Sequence, residues 1–174
     1  MTGALQEGLA GLKMQKMGMT ELEELMGFQQ MILDELEDKQ WYVPSTLEEM
    51  REDLAQGDIF GCYDGKKLVA FAVLTPWHTR EEIAYAGKVG ETVEDTYDFH
   101  GMMVHPKYRR RGIHSAFLRL FAETVRAMGG KAIYATIAPE NLPSVNAFEK
   151  GGYELVKTQL AYDGRPRGYY RQRL

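Results

Sequence analysis

Apolar positions in this chain follow two rhythms. Ile113, Ala116, Phe117, Leu120, Phe121, Thr124, Val125 and Met128 recur at steps of three and four, the spacing of one face of an α-helix that must begin near Gly112. The same step runs through Leu22, Leu25, Met26, Ile32, Leu33 and Leu36, with acids opposite and Thr20 placed to cap the start. Ser45-Thr46-Leu47-Glu48 is a capping-box pattern and predicts a further helix with Leu47, Met50 and Leu54 inward, ended by Gly57. Residues 59–63 and 67–75 read as strands joined at Asp64-Gly65, a strong hairpin signal. The second of them is almost continuously apolar, as a strand buried on both faces should be.

Residues 99–104 form a short apolar run stopped by Pro106, and residues 131–137 make another after Gly129-Gly130. Asn141-Leu142-Pro143-Ser144 opens a short helix that Gly151-Gly152 closes. Residues 153–162 and 167–171 flank Asp163-Gly164 as a closing hairpin, and residues 12–17 read as a first strand. Residues 76–96 have no clean period and are expected to be a loop, either facing the substrate or a disordered excursion. Residues 1–11 hold three glycines and few packing anchors, so they are expected to be a poorly ordered lead-in. A strand, a helix and another strand in succession predict a right-handed parallel pair. The expected architecture is α/β, one domain over residues 1–174, with a mixed central sheet flanked by helices and no internal repeat or linker.

Composition adds limits. The chain has 174 residues, 44% of them hydrophobic, enough for one proper core. Its net charge of −4 argues against nonspecific nucleic-acid binding. No apolar run approaches the roughly 18 residues of a membrane helix, and the N-terminus lacks a secretion pattern, so we expect a cytoplasmic protein without a membrane or nucleic-acid partner, monomeric or homodimeric. The lone Cys62 has no second thiol for a disulfide, zinc site or redox pair; it reads as a small buried hydrophobe, and no metal is expected.

The cationic stretch His105-Pro106-Lys107-Tyr108-Arg109-Arg110-Arg111-Gly112-Ile113-His114-Ser115 changes the picture most. It joins an apolar run to the start of the long helix, and no Asp or Glu occurs between Gly101 and Ala122. A helix start carries unpaired N–H groups and positive partial charge, and a glycine there lets an anion approach the backbone. The spacing matches neither a Walker loop nor a dinucleotide fingerprint, which points to a phosphorylated cofactor held by its pyrophosphate.

Val104-His-Pro-x-x-Arg109-x-x-Gly112-x-His114 resembles the R/Q-x-x-G-x-G/A acyl-CoA signature of the GCN5-related N-acetyltransferases, the GNAT superfamily, with His114 departing from Gly or Ala. Asn141-x-x-Ser144-x-x-Ala147-Phe148-Glu149-Lys150-x-Gly152-Tyr153 is similar to the family's late motif. Leu36-Glu37-Asp38-Lys39, Val43-Pro44 and Tyr162-Asp163-Gly164-Arg165-Pro166-Arg167 further resemble a poorly characterised branch, without indicating a substrate. The resemblance implies acetyl-CoA as cosubstrate, a GNAT-like sheet with its parallel pair at the cofactor cleft, and pantetheine between the strand ending at Val104 and the one beginning at Lys131. Met102, Met103 and Val104 would pair with pantetheine amides; Arg109, Arg110, Arg111, Gly112, Ile113, His114 and Ser115 would hold the pyrophosphate. Asn141 and Ser144 would face the same cofactor arm, unless Asn141 is simply a helix cap.

Acetyl transfer to an amine needs a proton acceptor. The family's Glu, six residues before the Val, corresponds to Asp98, and His100 lies two residues along the same strand. Either would act directly or through water. The acids Glu81, Glu82, Glu91, Glu94, Asp95 and Asp98 would draw a small cationic amine. Phe148 stands where many members have a Tyr that protonates the leaving thiolate. An N-acetyltransferase and a noncatalytic acyl-CoA-binding or regulatory domain both fit these residues.

Overall fold

The computed structural model of the chain describes residues 9–161 and 163–174. Most of the expected lead-in and Tyr162 therefore lie outside the described residues; Leu9 is buried, and its carbonyl accepts from the Leu12 N–H.

In chain order the elements are β1 (Leu12–Lys16), α1 (Leu22–Glu35), α2 (Leu47–Gln56), β2 (Ile59–Asp64), β3 (Lys67–Pro76), the four-residue α3 (Tyr85–Lys88), β4 (Thr96–Val104), α4 (Ile113–Ala127), β5 (Ala132–Ile137), α5 (Leu142–Lys150), β6 (Glu154–Leu160) and β7 (Pro166–Arg173). The strands follow one hydrogen-bonded order, β1-β2-β3-β4-β5-β7-β6, so the sheet is mixed. Its parallel pair is β4 with β5, aligned from Thr96 opposite Ala132 to Phe99 opposite Ala135. That ladder stops there, although β4 continues to Val104 and β5 to Ile137. No helix among the described residues is long and apolar enough to cross a membrane.

The chain divides into two compact units. Of the described residues, those within Met1–Lys39, Pro44–Val73 and Gly101–Phe117 form one, and those within Gln40–Val43, Leu74–His100 and Leu118–Leu174 form the other. The core of the first is built on Leu25, Met50, Ile59 and Val69, with Phe28 meeting Phe71 edge-on at 6.0 Å between ring centres. Cys62 is fully buried there, and burial pushes its thiol up to about 11. In the second, Phe99 packs edge-on to Phe121 at 4.8 Å and against Phe148 at 5.2 Å, and Phe148 meets Tyr153 at 4.9 Å. Burying an aromatic side chain contributes about 1.5–3 kcal/mol, so these rings anchor the strand that carries Asp98.

Residues 68–75 of β3 are all buried, as its unbroken apolar run requires. Several local expectations need correction. Thr20 does not cap α1, because a short 3-10 turn at Met19–Glu21 precedes it and the Glu21 carboxylate reaches back to the Gly18 N–H at 2.7 Å. The box before α2 sits one residue later than expected: Thr46 and Glu49 exchange the reciprocal bonds, while the Ser45 backbone binds the Gln29 amide. Leu47, in the first turn beyond that cap, is 46% exposed. At the end of α4, Met128 is exposed and only its sulfur accepts from the Tyr97 hydroxyl. Leu118, off the predicted stripe, is buried against Gly151, where an added Cβ would meet its Cδ1 at 2.4 Å. Residues 76–96 are not a plain loop: Ala86 is fully buried and, with Tyr85, Val89 and Val93, packs on Ala132 and Tyr134. β4 begins at Thr96, three residues before its apolar run, because parallel pairing continues through Tyr97 and Asp98.

Candidate active site

The first unit holds the cationic loop. Pro106 has no N–H to continue the β4 ladder, and a 3-10 turn at Pro106–Tyr108 leads to Arg109 in extended geometry. Arg110 then adopts φ +62° and Gly112 φ +79°. A left-handed residue costs an L-amino acid roughly 1–2 kcal/mol, so an arginine held there marks a loop whose shape is imposed by its surroundings. Alternating backbone hands turn successive N–H groups toward one side, the arrangement of an anion-binding nest. The first α4 bond runs from the Ala116 N–H to the Gly112 carbonyl at 3.0 Å; helix geometry gives the N–H groups ahead of it no intrahelical acceptor. Arg109, Arg110, Arg111, Gly112 and Ser115 are exposed, whereas Ile113 is buried and anchors the helix start.

The arginines differ in what they touch. Arg109 Nε turns back to the Val104 carbonyl at 3.4 Å. The Arg111 guanidinium stacks 4.8 Å from the Tyr108 ring centre, with Lys67 beside the same ring at 5.6 Å. Tyr108 donates its hydroxyl to Asp64 at 2.7 Å, so folding brings a carboxylate to a loop that carries none along the chain. His114 is half-buried, and burial drops its imidazole to about 4, which leaves it neutral at neutral pH. Of the β4 residues expected to meet pantetheine, Met103 is buried while Met102 and Val104 are half-buried. Gly101, at φ +66°, interrupts the extended backbone just before them.

The second unit holds Asp98 and His100. Both Asp98 carboxylate oxygens accept from the Tyr85 N–H, at 3.2 and 3.1 Å, so Asp98 closes the start of α3. Burial pushes the Asp98 carboxyl up to about 7, against the Tyr85 N–H and the Arg80 charge, which both favour ionisation. Asp98 as a whole is half-buried. His100 Nε2 lies 2.9 Å from Oγ1 of the buried Thr75. Asn141 accepts from the Ser144 N–H at 3.3 Å and thus caps α5. Phe148, 4% exposed, is locked between the rings of Phe99 and Tyr153.

The acids of the 76–96 segment are not all available to a ligand. Asp95 pairs with Lys131 at 2.7 Å, and Glu91 accepts from Tyr134 and Arg171; Glu81, Glu82 and Glu94 remain exposed. Sequence reasoning had no signal for the Tyr85 N–H, for Thr75 or for the partners of Glu91, since each contact joins residues far apart along the chain.

A sequence profile of the Acetyltransferase (GNAT) family matches residues 28–153. No curated protein matches the sequence. Among solved structures, a GNAT-family acetyltransferase from Streptococcus pneumoniae is similar at TM-score 0.72 and 17% identity, covering 94% of this chain and 99% of its own. An N-acetyltransferase from Staphylococcus aureus gives TM-score 0.71 at 12% identity, with 93% and 97% covered. AAC(6')-Ib in complex with paromomycin and acetyl-CoA gives TM-score 0.65 at 16% identity, with 94% and 93% covered. At these identities the likeness is one of fold.

Proposed function

The chain belongs to the GNAT acetyltransferase family, and from that premise we propose that it moves an acetyl group from acetyl-CoA to the amine of a small acceptor, with Asp98 taking the proton. The observation that carries this reading is the Asp98 carboxyl, raised to about 7 by burial yet held by the Tyr85 N–H. A lysine-like amine has a pKa near 10.4 and is mostly protonated at neutral pH. A base poised near the working pH is best matched to remove that proton, directly or through one water. His100 is the less favoured base because one ring nitrogen is already engaged with Thr75.

When bound, acetyl-CoA supplies the activated thioester. The chain's own features fit such a molecule: two left-handed residues in an arginine loop, an exposed glycine and the first-turn donors of α4. Arg109, Arg110, Arg111, Gly112, Ile113, His114 and Ser115 would hold its pyrophosphate, with Arg109 also bracing the loop at the Val104 carbonyl, and Met102 to Val104 would offer backbone groups to its pantetheine. Asn141 and Ser144 would meet the same arm, the former through the amide nitrogen that capping leaves unused. Residues 1–174 would act as one acyltransferase domain.

A second reading, a noncatalytic acyl-CoA binder, is favoured by Phe148, whose ring has no proton for a leaving thiolate. Turnover of acetyl-CoA across a panel of small amines separates the two. The transferase reading expects activity with at least one amine, a loss of about 10²–10⁴-fold in kcat for Asp98→Asn, and unchanged acetyl-CoA affinity. Tight acetyl-CoA binding with no transfer to any amine would favour the binder.

A further inference from the structure

Four side chains on neighbouring strands, the candidate base among them, stand in one row. Asp98 on β4 is opposite Tyr134 on β5, Tyr134 is opposite Arg171 on β7, and Arg171 is opposite Glu154 on β6. Directly opposed residues project to the same sheet face. One residue from outside the sheet joins the row: Glu91 accepts from the Tyr134 hydroxyl and from Arg171 Nη1, while Arg171 Nη2 reaches Glu154.

The segment bearing Glu91 also supplies the hydrogen bond to Asp98. Between the Tyr85 N–H on Asp98 and the Glu91 carboxylate lies only α3 and its exit turn, in which the Glu91 N–H donates to the Ala86 carbonyl at 2.9 Å. Ala86 is fully buried against Tyr134 and Ala132. This short arch is thus tied down at both ends to the same row of strand residues. Exposed ion pairs contribute little, but here the Arg171 side chain is only 13% exposed and the carboxylate accepts two donors, so the tie has fixed geometry.

We propose that Glu91 is a positioning residue for Asp98: by gripping Tyr134 and Arg171 it holds the arch so that the Tyr85 N–H stays on the Asp98 carboxylate. The proposal rests on the reading of Asp98 as the base for its catalytic consequence, but not for its geometry. The titratable and charged groups at the row are Arg80, Tyr85 and Glu91 from the segment, His100 on β4 itself, Tyr134 from β5, Tyr169, Arg171 and Arg173 from β7, and Glu154 from β6. Loosening the Tyr85 N–H removes a bond that favours the charged carboxylate, so Asp98 would hold its proton to higher pH.

The Tyr85 amide proton reports this directly by NMR, because its shift follows the ionisation of the carboxylate it touches. In the parent chain it should titrate with a midpoint near 7. Glu91→Gln keeps the size and removes the charge; Tyr134→Phe removes a single hydroxyl and serves if the first variant folds poorly. In either we expect the midpoint to rise by about half a unit or more and the amide to exchange with solvent roughly tenfold or more faster. The acid limb of kcat/KM should move with it, at unchanged KM for acetyl-CoA. An unchanged midpoint and exchange rate in both folded variants would overturn the proposal. If the amide responds and the pH–rate profile does not, Glu91 does position Asp98, and the reading of Asp98 as the base falls.

Discussion

Gly112→Ala separates what the cationic loop costs from what it does. Gly112 sits at φ +79°, and a Cβ added there would come no nearer than 3.9 Å to another residue, the Leu9 Cδ2. No clash opposes the methyl group, so the folding cost is conformational, roughly 1–2 kcal/mol. For a chain of this length that is a fall of about 2–8 °C in Tm. Gly129→Ala is the matched control, since Gly129 has the same φ and nothing lies within 4 Å of its added Cβ. Both variants should melt lower by similar amounts. If phosphates rest against the Gly112 backbone, only Gly112→Ala should also lose acetyl-CoA affinity, by about tenfold or more, equivalent to about 1.4 kcal/mol. Calorimetric titration of each folded variant with acetyl-CoA makes the comparison. Equal affinities for the two variants, at equal losses of stability, would refute the placement of the pyrophosphate.

Three further outcomes follow from the structure. The Asp98 carboxyl is raised from 3.8 to about 7 in the folded chain, so the folded state binds the extra proton and stability falls as pH rises from about 4 to about 7; Asp98→Asn should flatten that slope in urea titrations either side of the window, and an unaltered slope would reject the shift. Arg111→Glu, which also breaks the stack on Tyr108, should weaken acetyl-CoA binding and reduce its salt dependence; calorimetry showing parental affinity would count against the loop. Arg167, 3% exposed, donates to the carbonyls of Gln40 at 2.8 Å and Trp41 at 3.2 Å and to Asp163 at 2.6 Å. Arg167→Leu removes the cation from a buried pair and should cost about 3–5 kcal/mol, read as a lower urea midpoint; a loss under about 1 kcal/mol would show that the cluster is replaceable.

What could be read from the sequence was what depends on near neighbours. The apolar step along α4 found Ile113, Ala116, Phe117, Phe121 and Val125, all buried, and the unbroken run of β3 foretold its burial on both faces. The glycine after the arginine run marked a helix start because backbone conformation there is local. The misses share the opposite property. Tyr108 finds Asp64 from 44 residues away and Arg171 finds Glu91 from 80, so neither the acid at the cationic loop nor the neutralisation of Glu91 could be seen in a window of neighbouring residues. Leu118 lies off the predicted stripe because a second apolar surface is made for it by Gly151, an element the periodicity of α4 does not contain. Asp98 was found through its place in a motif, but its restraint by Tyr85 depends on how the segment before it folds back.

The burial of Cys62 has a practical consequence. Acetyl transfer releases CoA with a free thiol, and thiol-reactive dyes are the simplest way to count it. A protein's own cysteines ordinarily blur that signal, but the single thiol here is fully buried and held up to about 11, so it is neither reachable nor appreciably thiolate at neutral pH. The native chain should therefore be dark to such dyes while folded. A cysteine introduced at an exposed position such as Glu82 would be its one reactive handle, able to carry a fluorophore that watches the segment over Asp98 during turnover.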